Sequence, residues 1–325
     1  MQGPDMMNDL LEILIRFREG KVAIAADIEA MYHQVFVTPT DRDALRFLWW
    51  PQGDLNKAPK HYRMTVHLFG GVWSPACAAF ALKKTLESSC SDVAKEAESN
   101  FYVDDLLLST QSEDAAINQA RELQILLKQG GFRLTKWISN SRNAISSISP
   151  TERNVAMRNV DISKESLPMD CALGVSWDLD SDTLKVRVST PSKPCSRRGI
   201  LSTMSSVYDP SGVLAPFTVR AKIIFQDEVR RNVGWDQNLT AENKLKWDKW
   251  LSELETLEGL AISRQYTPEG LKENEEVELH HFCDASQAAY ASVSYLRVKG
   301  ENGVAHSSMI LARTRLAPIK TLSIP

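Results

Sequence analysis

The sequence contains little that would support a secreted, disulfide-bonded or membrane-spanning protein. Its five cysteines are odd in number and widely spaced, with no CxxC pair, which argues against a disulfide framework or a zinc site. No apolar run approaches the roughly 18 residues of a membrane span, and the N-terminus lacks a signal-peptide pattern. We therefore expect an intracellular protein, in the cytoplasm or nucleus, that does not enter a membrane.

The sequence also lacks internal repeats, low-complexity segments, an Asp-Thr-Gly or Asp-Ser-Gly protease motif and an integrase-like metal cluster. What it has is a globular composition, 43% apolar and 24% charged, over 325 residues, which is enough for two or three domains. The net charge of −3 gives no overall sign of nucleic-acid binding. Residues 185–250, however, carry twelve Lys/Arg against six Asp/Glu, and 251–278 carry two against eight. The basic segment could contact phosphates, but solvated helix faces explain the same count equally well.

Periodicity and capping signals predict a mixed α+β fold. Ser74 is the expected N-cap of a helix with Pro75 in its first turn, and Thr110 with Glu113 has capping-box spacing. The stripe of Trp247, Trp250, Leu251, Leu254 and Leu257 predicts a buried helix face after Thr240. The predicted order is a helix over 6–18, a strand over 21–27, two strands joined by 51–60, a helix from 74, a hairpin over 101–108, a helix over 112–129, a strand over 132–139, a hairpin over 173–188, helices after 191 and a β region from 277. This order suits an antiparallel sheet backed by helices.

Two adjacent aspartates interrupt an apolar run in "FYVDDLLLS", residues 101–109. Asp104 and Asp105 can form the tip of a hairpin, where a single aspartate is ordinary. Two carboxylates together also make a hard-oxygen site for Mg²⁺, and two-metal phosphoryl transfer needs a further carboxylate from another element. Asp27, which ends a predicted strand, is the candidate for this further carboxylate. Without the pair Asp104 and Asp105, it would be interpreted only as a residue at which the chain turns.

Eight motifs give the chain a resemblance to the reverse transcriptases of BEL/Pao-type long-terminal-repeat retrotransposons. They occur in that family's order and extend over nearly the whole chain: "DIEAMYHQV", "DRDALRFLWW", "GGVWSPACAAFAL", "FYVDDLLLS", "GGFRLTKWISN", "LGVSWD", "LSTMSSVYDPSGVLAPF" and "FCDASQAAY". YxDD alone has modest specificity, whereas the ordered set is highly specific.

The resemblance implies a role for each matching residue in nucleotidyl transfer. Asp27, Asp104 and Asp105 match the carboxylates that bind two Mg²⁺, and Tyr32 matches the aromatic residue that excludes a ribose 2′-hydroxyl. Residues Gly70, Gly71 and Ser74 match the motif that approaches the nucleotide or template, and Lys136 matches a lysine near the triphosphate. Without the resemblance, Tyr32 reads as a core residue and Lys136 as a solvated one. Phe69 and Trp73 depart from the family pattern. Retroviral enzymes often have glutamine at the position of Phe69, and a residue smaller than Trp73 is expected in this family.

The resemblance also divides the chain into three parts. It implies a polymerase palm, ferredoxin-like, with partial fingers and a primer-grip hairpin (1–190), a helical thumb and connection (191–275), and a truncated RNase H-like segment (276–325). Phosphate contacts are expected from Arg197, Arg198, Arg220 and Lys222. Asp284 matches the first RNase H carboxylate, and we expect no RNase H activity because the sequence stops before the next acidic ligand. We likewise expect the fingers residues that clamp the triphosphate to be missing.

Two function classes remain open from the sequence. In the first, the chain is the core of an RNA-directed DNA polymerase that binds an RNA or DNA template-primer and a dNTP, weak or inactive in isolation. In the second, it is a non-catalytic transposon remnant or a domesticated nucleic-acid-binding or interaction module. An RNA-dependent RNA polymerase is a weaker third reading, against which Tyr32 argues. Self-association, or assembly with other polyprotein segments, is compatible with either of the first two.

Overall fold

The computed structural model describes residues 2–158, 162, 165–188, 193–272, 275–300 and 303–319. The chain divides into two compact units, one formed by 1–14 and 22–164 and the other by 15–21 and 165–325. The predicted three-part division places a boundary at 190 instead, and it assigns the 173–188 hairpin to the first part. In the structure that hairpin and the 276–316 strands belong to the same unit as the helices between them.

The first unit is built on a four-stranded sheet in the order β4-β5-β1-β6, with β5 and β6 antiparallel to the central β1. The β1 strand is buried almost throughout because its Val-Ala-Ile-Ala-Ala run lies in the middle of the sheet. A separate two-stranded hairpin, β2–β3, also belongs to this unit. The elements are α1 (Leu10–Arg16), β1 (Val22–Ile28), β2 (Arg46–Trp49), β3 (Lys60–Arg63), α2 (Ser74–Glu87), α3 (Asp92–Asn100), β4 (Phe101–Tyr102), β5 (Asp105–Thr110), α4 (Glu113–Gln129), β6 (Leu134–Ser139), α5 (Arg142–Ser146) and α6 (Val155–Arg158).

Helix boundaries in this unit correct two of the predicted caps. Trp73, not Ser74, is the N-cap of α2, and Ser74 is the first helical residue. Ser112, not Thr110, caps α4 by accepting a hydrogen bond from the backbone N–H of Ala115. The observed α1, Leu10–Arg16, is shorter than the predicted helix over 6–18, and α3 was missed although Ser91 supplies its N-cap. Local cap signals therefore located these helices to within a few residues but did not identify the capping side chain.

The second unit combines two antiparallel sheets, in the orders β10-β9-β8-β7 and β11-β12-β13, with three helices. Ile200, Ile224, Trp247, Trp250 and Leu254 form its helical core, which confirms the predicted stripe as packing. The rings of Trp247 and Trp250 stack with centroids 4.8 Å apart. The elements are β7 (Met169–Ala172), β8 (Val175–Asp178), β9 (Thr183–Lys185), α7 (Arg197–Ser206), α8 (Ala215–Arg230), α9 (Ala241–Glu255), β10 (Ala261–Ser263), β11 (Glu276–Ala285), β12 (Ala289–Lys299) and β13 (Ala305–Leu316).

Both units are therefore mixed α/β with antiparallel sheets, as the α+β prediction requires. No helix among the described residues is both long and apolar enough to cross a lipid bilayer. All five cysteines lie in described positions as free thiols.

Candidate functional site

Asp27 and Asp105 lie directly opposite each other where β1 and β5 pair. Six consecutive residue pairs, from Val22–Thr110 to Asp27–Asp105, are in antiparallel register. Cross-strand partners have their side chains on the same face of a sheet, with Cβ atoms about 4.5–5.5 Å apart. Two residues distant in sequence are thus brought together by strand pairing, on rigid elements rather than on loops.

Asp104 lies next to this pair at the turn between β4 and β5. Its backbone carbonyl accepts a hydrogen bond of 2.8 Å from the N–H of Ile28, which ties the turn to β1. The sequence predicted both aspartates at the hairpin tip; in the structure Asp105 is the first residue of β5, and Val103 and Asp104 form the tip. Val103 has a φ of 56°, which is unfavourable for a β-branched residue and costs about 1–3 kcal/mol.

Lys136 reaches the same carboxylates through a bulge in β6. The pairing of β1 with β6 shifts register between Ala25 and Asp27, and Thr135 is opposite Asp27. Lys136, with a φ of 54°, follows at this irregularity, and its ammonium lies 2.9 Å from Asp27 Oδ2. A bulge adds an unpaired residue and changes the direction of its side chain, and bulges are frequent beside active sites. The predicted site lysine therefore meets the predicted first carboxylate.

The three carboxylates interact electrostatically with one another. Burial raises the pKa of Asp105 to about 6, and the neighbouring charges of Asp104 and Asp27 contribute while Lys136 opposes them. Burial likewise raises the pKa of Asp104, with a contribution from Asp27. The pKa of Lys136 is raised chiefly by its hydrogen bond to Asp27. The cluster as a whole has an excess of negative charge that a further cation would relieve.

The side chains have the chemistry of a magnesium site but not the arrangement of one. Among the described residues, no three His, Cys, Asp or Glu side chains are grouped so as to hold a metal ion. Carboxylate oxygens are nevertheless the ligands that Mg²⁺ prefers, and three carboxylates opposed by one ammonium leave negative charge that such an ion would neutralise. The donor set therefore fits Mg²⁺, with the ammonium of Lys136 as the present counter-charge of Asp27.

Tyr32 lies close enough to these acids to interact with the charge of Asp104. It is half-buried, and its pKa is raised by burial and by the charge of Asp104. Its ring packs edge-on against Phe69, with centroids 4.8 Å apart, and the His33 ring also packs edge-on against Phe69, with centroids 5.5 Å apart. Phe69 thus positions the Tyr32 ring. The sequence marked Phe69 only as a departure from the family pattern and did not predict this contact.

The loop before α2 supports the site through a buried serine. Ser74 is fully buried, and its hydroxyl donates a 2.8 Å hydrogen bond to the carbonyl of Leu68. A Cβ on Gly71 would lie 2.8 Å from this hydroxyl oxygen, so only glycine fits there without a shift. Gly70 has a φ of 87° and open space around it. Gly70 and Gly71 thus shape the loop, and the substrate contact predicted for Ser74 stays a prediction.

We expect Ser74→Ala to lower the free energy of unfolding by about 1–2 kcal/mol, because the part-buried carbonyl of Leu68 loses its donor. Thermal or urea unfolding followed by circular dichroism measures the change. Ser88→Ala is the matched control, since Ser88 is exposed and its hydroxyl donates to the carbonyl of Thr85 at the end of the same helix. Equal stability of the two variants would show that the Ser74 hydrogen bond contributes nothing.

All three arginines predicted to contact phosphates are already engaged within the second unit. Arg197 lies over the Trp235 ring at 4.5 Å and donates a 2.6 Å hydrogen bond to the carbonyl of Val233. Arg198 forms a two-bond ion pair with Asp236, at 2.6 and 3.1 Å, and Arg220 pairs with Glu253 at 2.6 Å. Lys222 is half-buried and makes no hydrogen bond or ion pair with any residue that the structure describes. The surplus of basic residues in 185–250 therefore overstates the positive charge available to a ligand.

Asp284 lies on β11 as an exposed residue opposite Ala291 of β12. Its carboxylate accepts a hydrogen bond from the backbone N–H of Ala285. The expected loss of RNase H activity stays a prediction.

Comparison with known proteins places these features in a family context. Residues 196–325 match the family model described as the Pao retrotransposon-like RNaseH-like domain. The structure of the foamy viral protease-reverse transcriptase in complex with an RNA/DNA hybrid is similar with a TM-score of 0.51 and 16% identity, covering 96% of this chain and 36% of that chain. The foamy viral protease-reverse transcriptase dRH in complex with double-stranded DNA is similar with a TM-score of 0.53 and 14% identity, covering 95% and 45%. No curated protein sequence matches.

These likenesses show that the fold is similar to that of the foamy viral protease-reverse transcriptase. The relationship to BEL/Pao-type retroelements that the motifs predict is confirmed, because the Pao-type family model matches the second part of the same chain. The chain spans less than half the length of the two solved chains.

Proposed function

We propose that the chain is the palm and thumb of an RNA-directed DNA polymerase, with the sheet β4-β5-β1-β6 as its palm. One observation carries this proposal: strand pairing brings Asp27 opposite Asp105, with Asp104 and Lys136 interacting electrostatically at the same place. Two Mg²⁺ bound by Asp27, Asp104 and Asp105 would activate the primer 3′-hydroxyl and stabilise charge on the transferring phosphoryl group.

The chain's own residues would supply orientation and charge. Asp27 and Asp105 are held by paired strands, which limits the freedom of the carboxylates before any ligand binds. The ammonium of Lys136, released from Asp27, would lie close enough to hold the triphosphate or give a proton to the leaving pyrophosphate. Tyr32, packed on Phe69, would form a flat wall beside the sugar.

Template-primer binding is proposed for the remainder of the chain. The 173–188 hairpin would hold the primer end, 191–275 would act as thumb and connection, and 276–325 would be the RNase H-like part. The two similar solved structures are complexes with an RNA/DNA hybrid and with double-stranded DNA, which supports a duplex as the ligand. Among the residues predicted to contact phosphates, Lys222 makes no hydrogen bond or ion pair with the described residues and could bind a phosphate directly. Arg198 and Arg220 would first have to exchange an acidic partner for a phosphate.

A second candidate function is that of a non-catalytic, nucleic-acid-binding remnant. It is favoured by the Asp27–Lys136 ion pair and by the lack, among the described residues, of a grouping arranged for metal. In that case duplex binding would remain and nucleotide transfer would not.

Primer extension separates the two candidates. The intact chain is incubated with a homopolymeric RNA template, a DNA primer, the complementary dNTP and Mg²⁺, with EDTA and Asp27→Asn as controls. Incorporation that disappears in both controls supports the polymerase. Duplex binding without incorporation, even at high protein concentration, supports the remnant.

We expect Tyr32→Ala to admit ribonucleotides, because removal of the ring opens space for the 2′-hydroxyl. The loss of one such steric contact changes the ratio of dNTP to rNTP incorporation by about 10–200-fold. Tyr32→Phe is the control and should retain the preference for dNTPs, because the ring remains. Efficient rNTP use by the unmodified chain would instead favour an RNA polymerase.

A further inference from the structure

The hairpin β2–β3 has one exposed face made of aromatic and basic side chains. Phe47 is paired with Tyr62 across the strands, and Trp49 with Lys60, so these four side chains share a face. Phe47, Trp49 and Tyr62 are 42%, 53% and 39% exposed. The rings of Phe47 and Tyr62 stack, with centroids 5.9 Å apart. Large rings exposed together on a two-stranded ribbon mark a binding surface rather than a core.

The opposite face of the hairpin has a different composition. Arg46 and Arg63 are direct cross-strand partners, and like charges in that position repel. Asp43 relieves the repulsion by pairing with both, at 2.6 Å and 2.8 Å. The two arginines are thus neutralised in part on their own face, whereas Lys60 makes no ion pair with any residue that the structure describes.

The charge and chemistry of the aromatic face fit a polyanion with flat rings. Arg46 and Arg63 are paired with Asp43, and Lys57 with Asp54, so the charge available on the aromatic face is that of Lys60, which favours phosphate over a basic or apolar partner. Exposed aromatic side chains beside a cation are the usual platform on which the bases of a single strand stack. A base pair in a duplex is already stacked on both sides, so such a platform selects unpaired bases.

The aromatic face is also connected to the candidate site within the same unit. After β3 the chain continues alongside residues 35–37. The N–H of Val37 donates a backbone hydrogen bond to the carbonyl of Thr65, and the N–H of His67 donates one to the carbonyl of Val35. It reaches Phe69, which packs against Tyr32. At about 3.3 Å per residue, Tyr62 and Phe69 are at most about 23 Å apart. A single strand of a few nucleotides could therefore extend from one to the other.

We propose that the face formed by Phe47, Trp49, Lys60 and Tyr62 binds single-stranded nucleic acid by base stacking. This interaction goes beyond nucleotide transfer and does not require it, since neither metal nor the three aspartates take part.

Fluorescence anisotropy of the intact chain in EDTA tests the proposal with two probes, an oligothymidylate of about 12 nucleotides and a blunt duplex of equal length. Phe47→Ala/Tyr62→Ala should weaken oligothymidylate binding at least about tenfold while duplex affinity is unchanged. Lys60→Ala should reduce the slope of log affinity against log salt for the single strand by about 0.7. Phe47→Tyr and Tyr62→Phe should retain binding, because each keeps a ring.

Leu48→Ala is the matched control, since Leu48 is 55% exposed on the opposite face of the same strand. Asp105→Asn should bind oligothymidylate as the unmodified chain does, so a failure of the polymerase proposal leaves this result intact. Unchanged oligothymidylate affinity in Phe47→Ala/Tyr62→Ala would overturn the proposal. So would sedimentation showing that these substitutions dissociate a dimer without affecting oligothymidylate binding, because the face would then be a contact between copies.

Discussion

Asp105→Asn is expected to abolish primer extension while making the protein more stable. The loss of activity should be about 10³-fold or greater, because a neutral amide removes a charged ligand from the proposed two-metal site. The gain in stability follows from burial and from the charges of Asp104 and Asp27, which raise the pKa of Asp105 from 3.8 to about 6. At neutral pH the ionised carboxylate therefore opposes folding by about 1–2 kcal/mol, after allowance for its partial exposure to solvent.

The pH dependence of this gain has a definite sign. A carboxyl group whose pKa is higher in the folded state binds protons more tightly there, so its unfavourable effect is absent below the unfolded value of 3.8 and complete above about 6. Urea unfolding in EDTA should show Asp105→Asn more stable than the unmodified chain at pH 7.5 and equally stable near pH 4. Equal stability at both pH values would show that the acids do not interact as the structure indicates.

Leu107→Ala serves as the contrasting variant on the same strand. Leu107 is 2% exposed, so its truncation should cost about 2–5 kcal/mol at both pH values. A loss of primer extension in Asp105→Asn together with increased stability therefore cannot be attributed to unfolding. Lost activity with lowered stability would contradict the assignment of Asp105 to the site.

Arg264→Met is expected to lower the free energy of unfolding of the second unit by about 3–5 kcal/mol. The Arg264 side chain is fully buried and pairs with both carboxylate oxygens of Asp182, at 2.7 and 2.8 Å. It also donates hydrogen bonds to the carbonyls of Phe17, Gly20 and Lys21. Removal of the guanidinium leaves a largely buried carboxylate without its cation and takes one donor from each of three carbonyls, of which that of Lys21 keeps the amide of Gln265.

Guanidinium chloride unfolding of the variant, followed by tryptophan fluorescence, measures this effect. Arg198→Ala is the control, because its two-bond pair with Asp236 is exposed and should contribute little to stability. Arg264→Met/Asp182→Leu should regain part of the loss, since no unpaired buried charge remains. If Arg264→Met and Arg198→Ala unfold at the same denaturant concentration, the buried pair does not hold the segment 15–21.

Sequence periodicity predicted the elements whose faces are strongly apolar. The strand at 22–28, the helices at 74–87, 113–129 and 241–255 and the buried face of Trp247, Trp250 and Leu254 were all confirmed, because each has a regular pattern of apolar residues. The short strands Met169–Ala172 and Ala261–Ser263 were missed, since three or four residues are too few to show a period. The capping residues of α2 and α4 were wrong, because α2 begins at Ser74 after Trp73 without a side-chain cap, and Ser112 rather than Thr110 directly precedes α4.

By itself the sequence determined which residues are proposed to carry the chemistry: three aspartates in two motifs, an aromatic residue after the first aspartate and a lysine in the fifth motif, in an order specific to one retroelement type. Only the tertiary structure decided how they meet. Strand register places Asp27 opposite Asp105, a bulge brings Lys136 to Asp27, and packing places Tyr32 on Phe69. It also decided which charges are available, since Arg198 and Arg220 meet acids 33 or more positions away in the chain. Pairing between distant segments depends on the packing of the whole unit, which local sequence patterns do not encode.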